Sequence, residues 1–149
     1  MTDRADRQAI VTAMAAFPDR VAAAARTAAG RPVADEEWSP EQVVRHLIAV
    51  EREVHQARLQ DLATITHPRW DWAEPGPWQG APELDLDGVI ARFAEARAST
   101  VTTLETLDDA GWARTGTHTT FGTLDAAGVI RNAVDHDDEH MCGLVPAEA

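Results

Sequence analysis

Trp38-Ser39-Pro40-Glu41-Gln42-Val43-Val44-Arg45-His46-Leu47 is the stretch on which the reading of this chain turns. A serine, a proline directly after it and a glutamine three residues on mark a helix start. Ser39 caps the free amides, Pro40 takes the first helical position where no N–H is needed, and Gln42 reaches back to the cap. The helix should run to about Leu62 on an apolar stripe of Val43, Leu47, Val50, Val54 and Ala57. His46 lies beside that stripe, close in angle to Val50 and Ala57. His55, nine residues later, falls about 180° round the axis, so the two should not serve one site. A core histidine bonded to a backbone carbonyl is the ordinary reading of His46 and stands beside the functional one.

Upstream, Ile10, Met14, Phe17, Val21, Ala24, Ala25 and Ala28 repeat at helical spacing over roughly Asp3 to Ala29. Pro18 should kink or break that helix, and Gly30 with Pro32 should end it. Downstream, residues 64–84 hold Pro68, Pro75, Pro77 and Pro82 with Gly76 and Gly80, so no helix persists there. Trp70, Trp72 and Trp78 sit in the same connection. Rings of that size bury substantial apolar area. The segment is therefore expected to fold over a bundle end or a dimer partner, with a lid or pocket wall as the functional alternative.

A third helix is expected from about Leu86 to Leu107, capped by Asp85 or Asp87, with Ile90, Phe93, Val101 and Leu104 on its inner face. The chain turns at Asp108-Asp109-Ala110-Gly111-Trp112. Gly116 to Gly122 reads as a polar linker without periodicity, and His118 within it as a loop histidine. Thr123 should cap a fourth helix with Asp125 in its first turn. Ile130, Val134 and Met141 form the apolar centre of that helix, and Val129, Ala133, His136 and His140 the adjoining stripe. Gly143 and Pro146 should stop it. No strand signal and no internal repeat is visible, so the expectation is a nearly all-helical protein.

Length and charge narrow the class. The 149 residues suit a single domain, 1–149, large enough to bury about two-thirds of its unfolded surface. No apolar run approaches the roughly 20 residues of a membrane span. The acidic start, Met1-Thr2-Asp3-Arg4-Ala5-Asp6, is unlike a secretory leader. Cys142 is the one cysteine, so no internal disulfide can form and a cytoplasmic setting is expected. Acidic residues number 25 against 13 basic, a net charge of −12, which argues against binding a nucleic-acid backbone.

The chemistry gathers at His136-Asp137-Asp138-Glu139-His140. Histidines four apart on a helix lie about 40° apart round the axis and one turn apart along it, close enough for one divalent ion to bridge. Two imidazoles alone hold a metal weakly. If the second and fourth helices run antiparallel, His46 falls at the height of the pair and supplies a third. Small neighbours such as Ala126 and Ala133 would leave room for an ion and a substrate. Cys142 is about 200° from His140 and a poor ligand. Asp137 and Glu139 are possible helpers, more naturally solvated or in support of the ligands.

The order and spacing of these pieces resemble the DinB-like superfamily. The resembling residues are the Trp38-Ser39-Pro40 cap before His46-Leu47, a Gly111-Trp112 turn, Phe121-Gly122-Thr123-Leu124 and the terminal His136/His140 pair. The resemblance implies a four-helix bundle of up-down-down-up topology, often homodimeric. It also implies a divalent metal, zinc or nickel, on His46, His136 and His140, and a small-molecule substrate. Transfer of a low-molecular-weight bacterial thiol is the activity it puts first, with metal-dependent hydrolysis or a non-catalytic dimeric module as alternatives. A zinc protease would need glutamate directly after the first histidine of the pair, where this chain has Asp137.

Overall fold

The computed structural model describes residues 3–144. The first long helix is α1, Arg4–Ala28. The second is a continuous rod of α2, Pro40–Val50, a π-helical stretch, Glu51–Gln56, and α3, Ala57–Thr64. After a long connection come α4, Leu86–Thr106, and the short α5, Asp109–Ala113. The last helix is α6, Ala126–Leu144. The helix start read from sequence is present in full: Gln42 N–H donates to Ser39 Oγ, and Ser39 N–H donates to the Gln42 side chain.

The rods form a four-helix bundle with α1 and the α2–α3 rod on opposite corners. Arg7 meets Asp109 beyond the far end of α4, and Arg26 meets Asp87 at its start, so α1 and α4 are antiparallel. Glu51 meets Arg97 and Gln56 meets Thr100, so the α2–α3 rod and α4 are parallel. Parallel neighbours cannot be joined by a tight turn. The chain between Thr64 and Asp85 must therefore travel back the length of the bundle, which is why this connection is long. Leu47, Val89, Phe93 and Phe17 fill one half of the core, and Leu59, Trp70, Trp112 and Ile130 the other.

One buried ionic cluster ties all four corners together. Arg97, 1% exposed, forms a two-pronged contact with Asp137 of α6, both at 2.9 Å, and bonds Glu51 of the π stretch at 3.0 Å through Nε. Its Nη1 also donates to the Met14 carbonyl of α1 at 3.0 Å. That last bond explains why the break expected at Pro18 does not occur. Proline has no N–H for the carbonyl four residues back, and that carbonyl is Met14's, which Arg97 satisfies instead. Burial works against ionising either carboxylate. For Glu51 the charge of Arg97 prevails and its pKa is lowered, while for Asp137 burial prevails and pushes it up to about 6.

Several local expectations are corrected. A small sheet is present, with strand order β1-β2-β3: β1, Arg69–Trp70, pairs parallel with β2, Thr115–His118, which pairs antiparallel with β3, Gly122–Asp125. These strands are too short for alternation to register. Gly116 permits the pairing, since a Cβ there would lie 2.6 Å from the Trp70 ring. Thr123 is in β3 and does not cap α6. Asp125 does, accepting from Gly128 N–H at 2.8 Å. The turn at residues 108–112 is mostly α5, capped by Asp108. Gly143 lies inside α6, and the stop expected at Pro146 lies outside the described residues.

Removing one partner of a buried ionic cluster leaves the others charged without compensation. Arg97→Ala should therefore lower the unfolding free energy by about 3–5 kcal/mol in a urea titration. Arg26→Ala, which breaks an ion pair with both side chains more than half exposed, should change it by less than about 1 kcal/mol.

Candidate metal centre

The antiparallel arrangement of the α2–α3 rod and α6 brings His46 level with the end of α6, as the spacing predicted. His46 Nε2 is 3.1 Å from His140 Nε2, which is 3.1 Å from His136 Nε2. Two donors about 2.0–2.1 Å from one ion are about 2.9 Å apart at a right angle and about 3.3 Å apart at the tetrahedral angle. The observed separations fall between those limits. Glu74 completes the cluster, with Oε1 3.3 Å from His46 Nε2 and 3.5 Å from His136 Nε2. One ligating atom from each of the four residues lies within 4.8 Å of the others, a cluster capable of coordinating a divalent ion.

The protonation of His46 is fixed by its surroundings. Its Nδ1 lies 2.7 Å from the Pro75 carbonyl, which can only accept, so Nδ1 carries the proton and Nε2 presents a lone pair to the cluster. The carbonyl bond expected of an ordinary core histidine is therefore real, and it also aims the other nitrogen inward. Trp38 packs against the same ring, with centroids 4.8 Å apart and the planes tilted by 46°. His136 Nδ1 is buried without a hydrogen-bond partner.

The crossover between Thr64 and Asp85 supplies the missing wall. Arg45 holds it by donating to the carbonyls of Trp78, Gly80 and Ala81, and the Trp78 N–H returns a bond to the Arg45 carbonyl. So anchored, the segment lays Glu74 and Pro75 across the histidines. Of its three tryptophans Trp70 is buried, while Trp72 is 59% exposed at the mouth of a cavity of about 150 Å³ beside His136 and Glu74. The crossover is thus a pocket wall. Ala126 and Ala133 are not part of it, since both are buried in the core.

Two histidines are placed differently from expectation. A π turn accommodates one extra residue, about 100° of helical phase. His55 is thereby turned from the far side of the rod toward the site, its ring centroid 6.1 Å from that of His136, and it lines the same cavity. His118 is 1% exposed on β2, with Nδ1 accepting from Thr120 and Phe121 N–H and Nε2 3.3 Å from Arg58. Of the proposed helpers, Asp137 is committed to Arg97, while Glu139 stands exposed at the cavity rim. Glu74 was not identified from sequence: its position between Trp72 and Pro75 in an aperiodic segment carries no signal of where the loop lies. Cys142 is exposed and takes no part.

The sequence profile of the DinB superfamily matches residues 3–142. No curated protein sequence registers as a match. Among solved structures, YfiT from Bacillus subtilis superposes with a TM-score of 0.73 at 19% identity, covering 97% of this chain and 86% of that one. YfiT is described as a probable metal-dependent hydrolase with an unusual four-helix bundle topology.

Burial, and after it the charges of His136 and His46, lowers the pKa of His140 from the ordinary 6.5 to about 4. Burial likewise lowers that of His55 to about 4. Groups depressed on folding bind protons more readily when unfolded, so their contribution to stability is complete above about pH 6.5 and lost as pH falls toward 4. Asp137, raised to about 6, works in the opposite direction below that pH, but one such group only partly offsets two histidines. The unfolding free energy of metal-free protein should therefore still drop between pH 7 and pH 4.5 in urea titrations, and His140→Gln should show a smaller drop.

Proposed function

The chain belongs to the DinB superfamily, and we propose that it is a metal-dependent hydrolase whose divalent ion is held by His46, His136 and His140. The observation that carries this reading is the convergence of three Nε2 atoms at 3.1 Å contacts, with the His46 lone pair fixed inward by the Pro75 carbonyl. Zinc or nickel is the proposed ion, because imidazole donors suit such metals. When bound, it supplies Lewis acidity, polarising a substrate oxygen and acidifying water.

The chain's own residues do the rest. Glu74, on the exposed side of the cluster with its side chain 44% accessible, is the proposed proton acceptor, taking the proton of the attacking water at Oε1. His46 is locked in orientation by Pro75 and Trp38. The wall of Trp72 and Phe121, whose rings lie 6.1 Å apart, narrows the approach to the ion. Hydrolysis is preferred over transfer of a low-molecular-weight thiol because a solved neighbour of the same fold is described as a hydrolase, whereas thiol transfer rests on the family resemblance alone. A single domain and a homodimer belong to the same proposal. The first is supported by a family match running through residues 3–142, the second by the resemblance. Among the described residues, no helix is long and apolar enough to cross a membrane.

Untagged protein should carry about one divalent ion per chain by elemental analysis. His46→Ala should lose it, because two imidazoles bind far more weakly than three, and His118→Ala should retain it. Glu74→Gln should keep the ion and lower hydrolysis of a panel of small esters and amides by about 10²–10⁴-fold. Full occupancy in His46→Ala would overturn the ligand assignment. Conjugation of a small thiol by the loaded protein, with no hydrolysis, would return the reading to thiol transfer.

A further inference from the structure

Of the buried arginines, Arg97 has two carboxylate partners, Arg7 has Asp109 and Arg45 has Glu41. Arg58 has none within 4.0 Å among the described residues. It is 9% exposed, and its contacts are the Asp71 backbone carbonyl at 3.3 Å, His118 Nε2 at 3.3 Å and the Trp70 ring at 5.9 Å. Its guanidinium has five N–H donors, and only Nη2 is engaged. A buried cation without a counter-ion is costly in any protein, and notable in one of net charge −12. Arg58 lines the cavity beside His136 and Glu74. Asn132 lines it too, and its Nδ2 is buried without an acceptor.

A guanidinium with no carboxylate partner and one buried amide donor without an acceptor therefore share the cavity that opens on the candidate metal centre, and its outer wall is aromatic. We propose that this cavity binds the carboxylate of a small monoanionic substrate on Arg58, with the apolar body of the substrate against Trp72 and Phe121 and its reacting group toward His136. The planar guanidinium matches a carboxylate in two-pronged geometry. The other charges facing the cavity set the limit on substrate charge. Glu74 stands at the histidines, and Asp135 and Glu139 are exposed at the rim on α6. Those three carboxylates disfavour a phosphate dianion, whereas a single negative charge held at the inner, buried end is offset by Arg58. Arg58 is thus a specificity-determining residue. This inference rests on the metal-site reading for its reaction but not for its binding event.

The test uses that separation. Benzoate and its neutral isostere benzamide are titrated into full-length protein, both metal-free and zinc-loaded, and tryptophan fluorescence is followed. Benzoate should bind metal-free protein at least tenfold more tightly than benzamide. The preference should persist in His136→Ala, weaken in Arg58→Lys and vanish in Arg58→Gln, with thermal melting confirming that each variant is folded. Equal binding of the two probes to metal-free wild-type protein would overturn the proposal without recourse to any variant, as would a benzoate preference that survives Arg58→Gln. A preference that appears only with zinc and disappears in His136→Ala would assign the carboxylate to the ion, which also overturns it. Zinc stoichiometry is measured separately. If no zinc binds while the Arg58-dependent preference holds, the metal-enzyme reading fails and the anion pocket stands.

Discussion

The fold hangs on a single guanidinium. Arg97 reaches the α1 carbonyl left free by Pro18, Glu51 on the π stretch and Asp137 on α6, so it fixes the relative height and rotation of all four corners of the bundle. Asp137 directly follows His136, so clamping its carboxylate inward sets the phase of the helix that carries His136 and His140. Glu51 performs the same service for the rod that carries His46 and His55. Apolar packing alone would tolerate small rotations of these helices, because hydrophobic contact is not directional. The charged hydrogen bonds of the ionic cluster are directional and resist them, and the proposed three-histidine centre would need that rigidity.

The second constraint is topological. Making the second and third corners parallel forces a long crossover, and that crossover becomes the wall of the site. Arg45 and Trp78 hold its far end, while the parallel pairing of β1 with β2 holds its near end. Between these anchors Glu74 and Pro75 pass over the histidines. Pro75 contributes only its backbone carbonyl, yet that carbonyl decides which nitrogen of His46 faces inward. The bundle supplies the imidazoles and the crossover orients and completes them.

Most of the frame was legible in the sequence because helical period, caps and breakers are local signals. The Ser39-Pro40-Gln42 start followed from residue type and spacing, and the approach of His46 to the His136/His140 pair followed from spacing once the second and fourth helices were taken as antiparallel. What was not legible depends on contacts distant in sequence. The π stretch that brings His55 round to the site arises in the middle of an apparently regular pattern. Pro18 reads as a breaker until Arg97, 79 positions later in the sequence, is seen to satisfy the carbonyl it frees. The place of Glu74 beside the histidines, and the contacts of Arg58 with Asp71 and Trp70, depend on the path of an aperiodic crossover. The strands, two to four residues long, are too short for alternation to be recognised.

The central claim is that three nitrogen atoms from two antiparallel helices hold one ion. Anomalous scattering at the zinc edge, from crystals of untagged protein grown with zinc, tests it directly. A single strong peak should lie about 2.0–2.1 Å from the Nε2 atoms of His46, His136 and His140. A peak centred elsewhere, or none with the three imidazoles turned apart, would contradict the account.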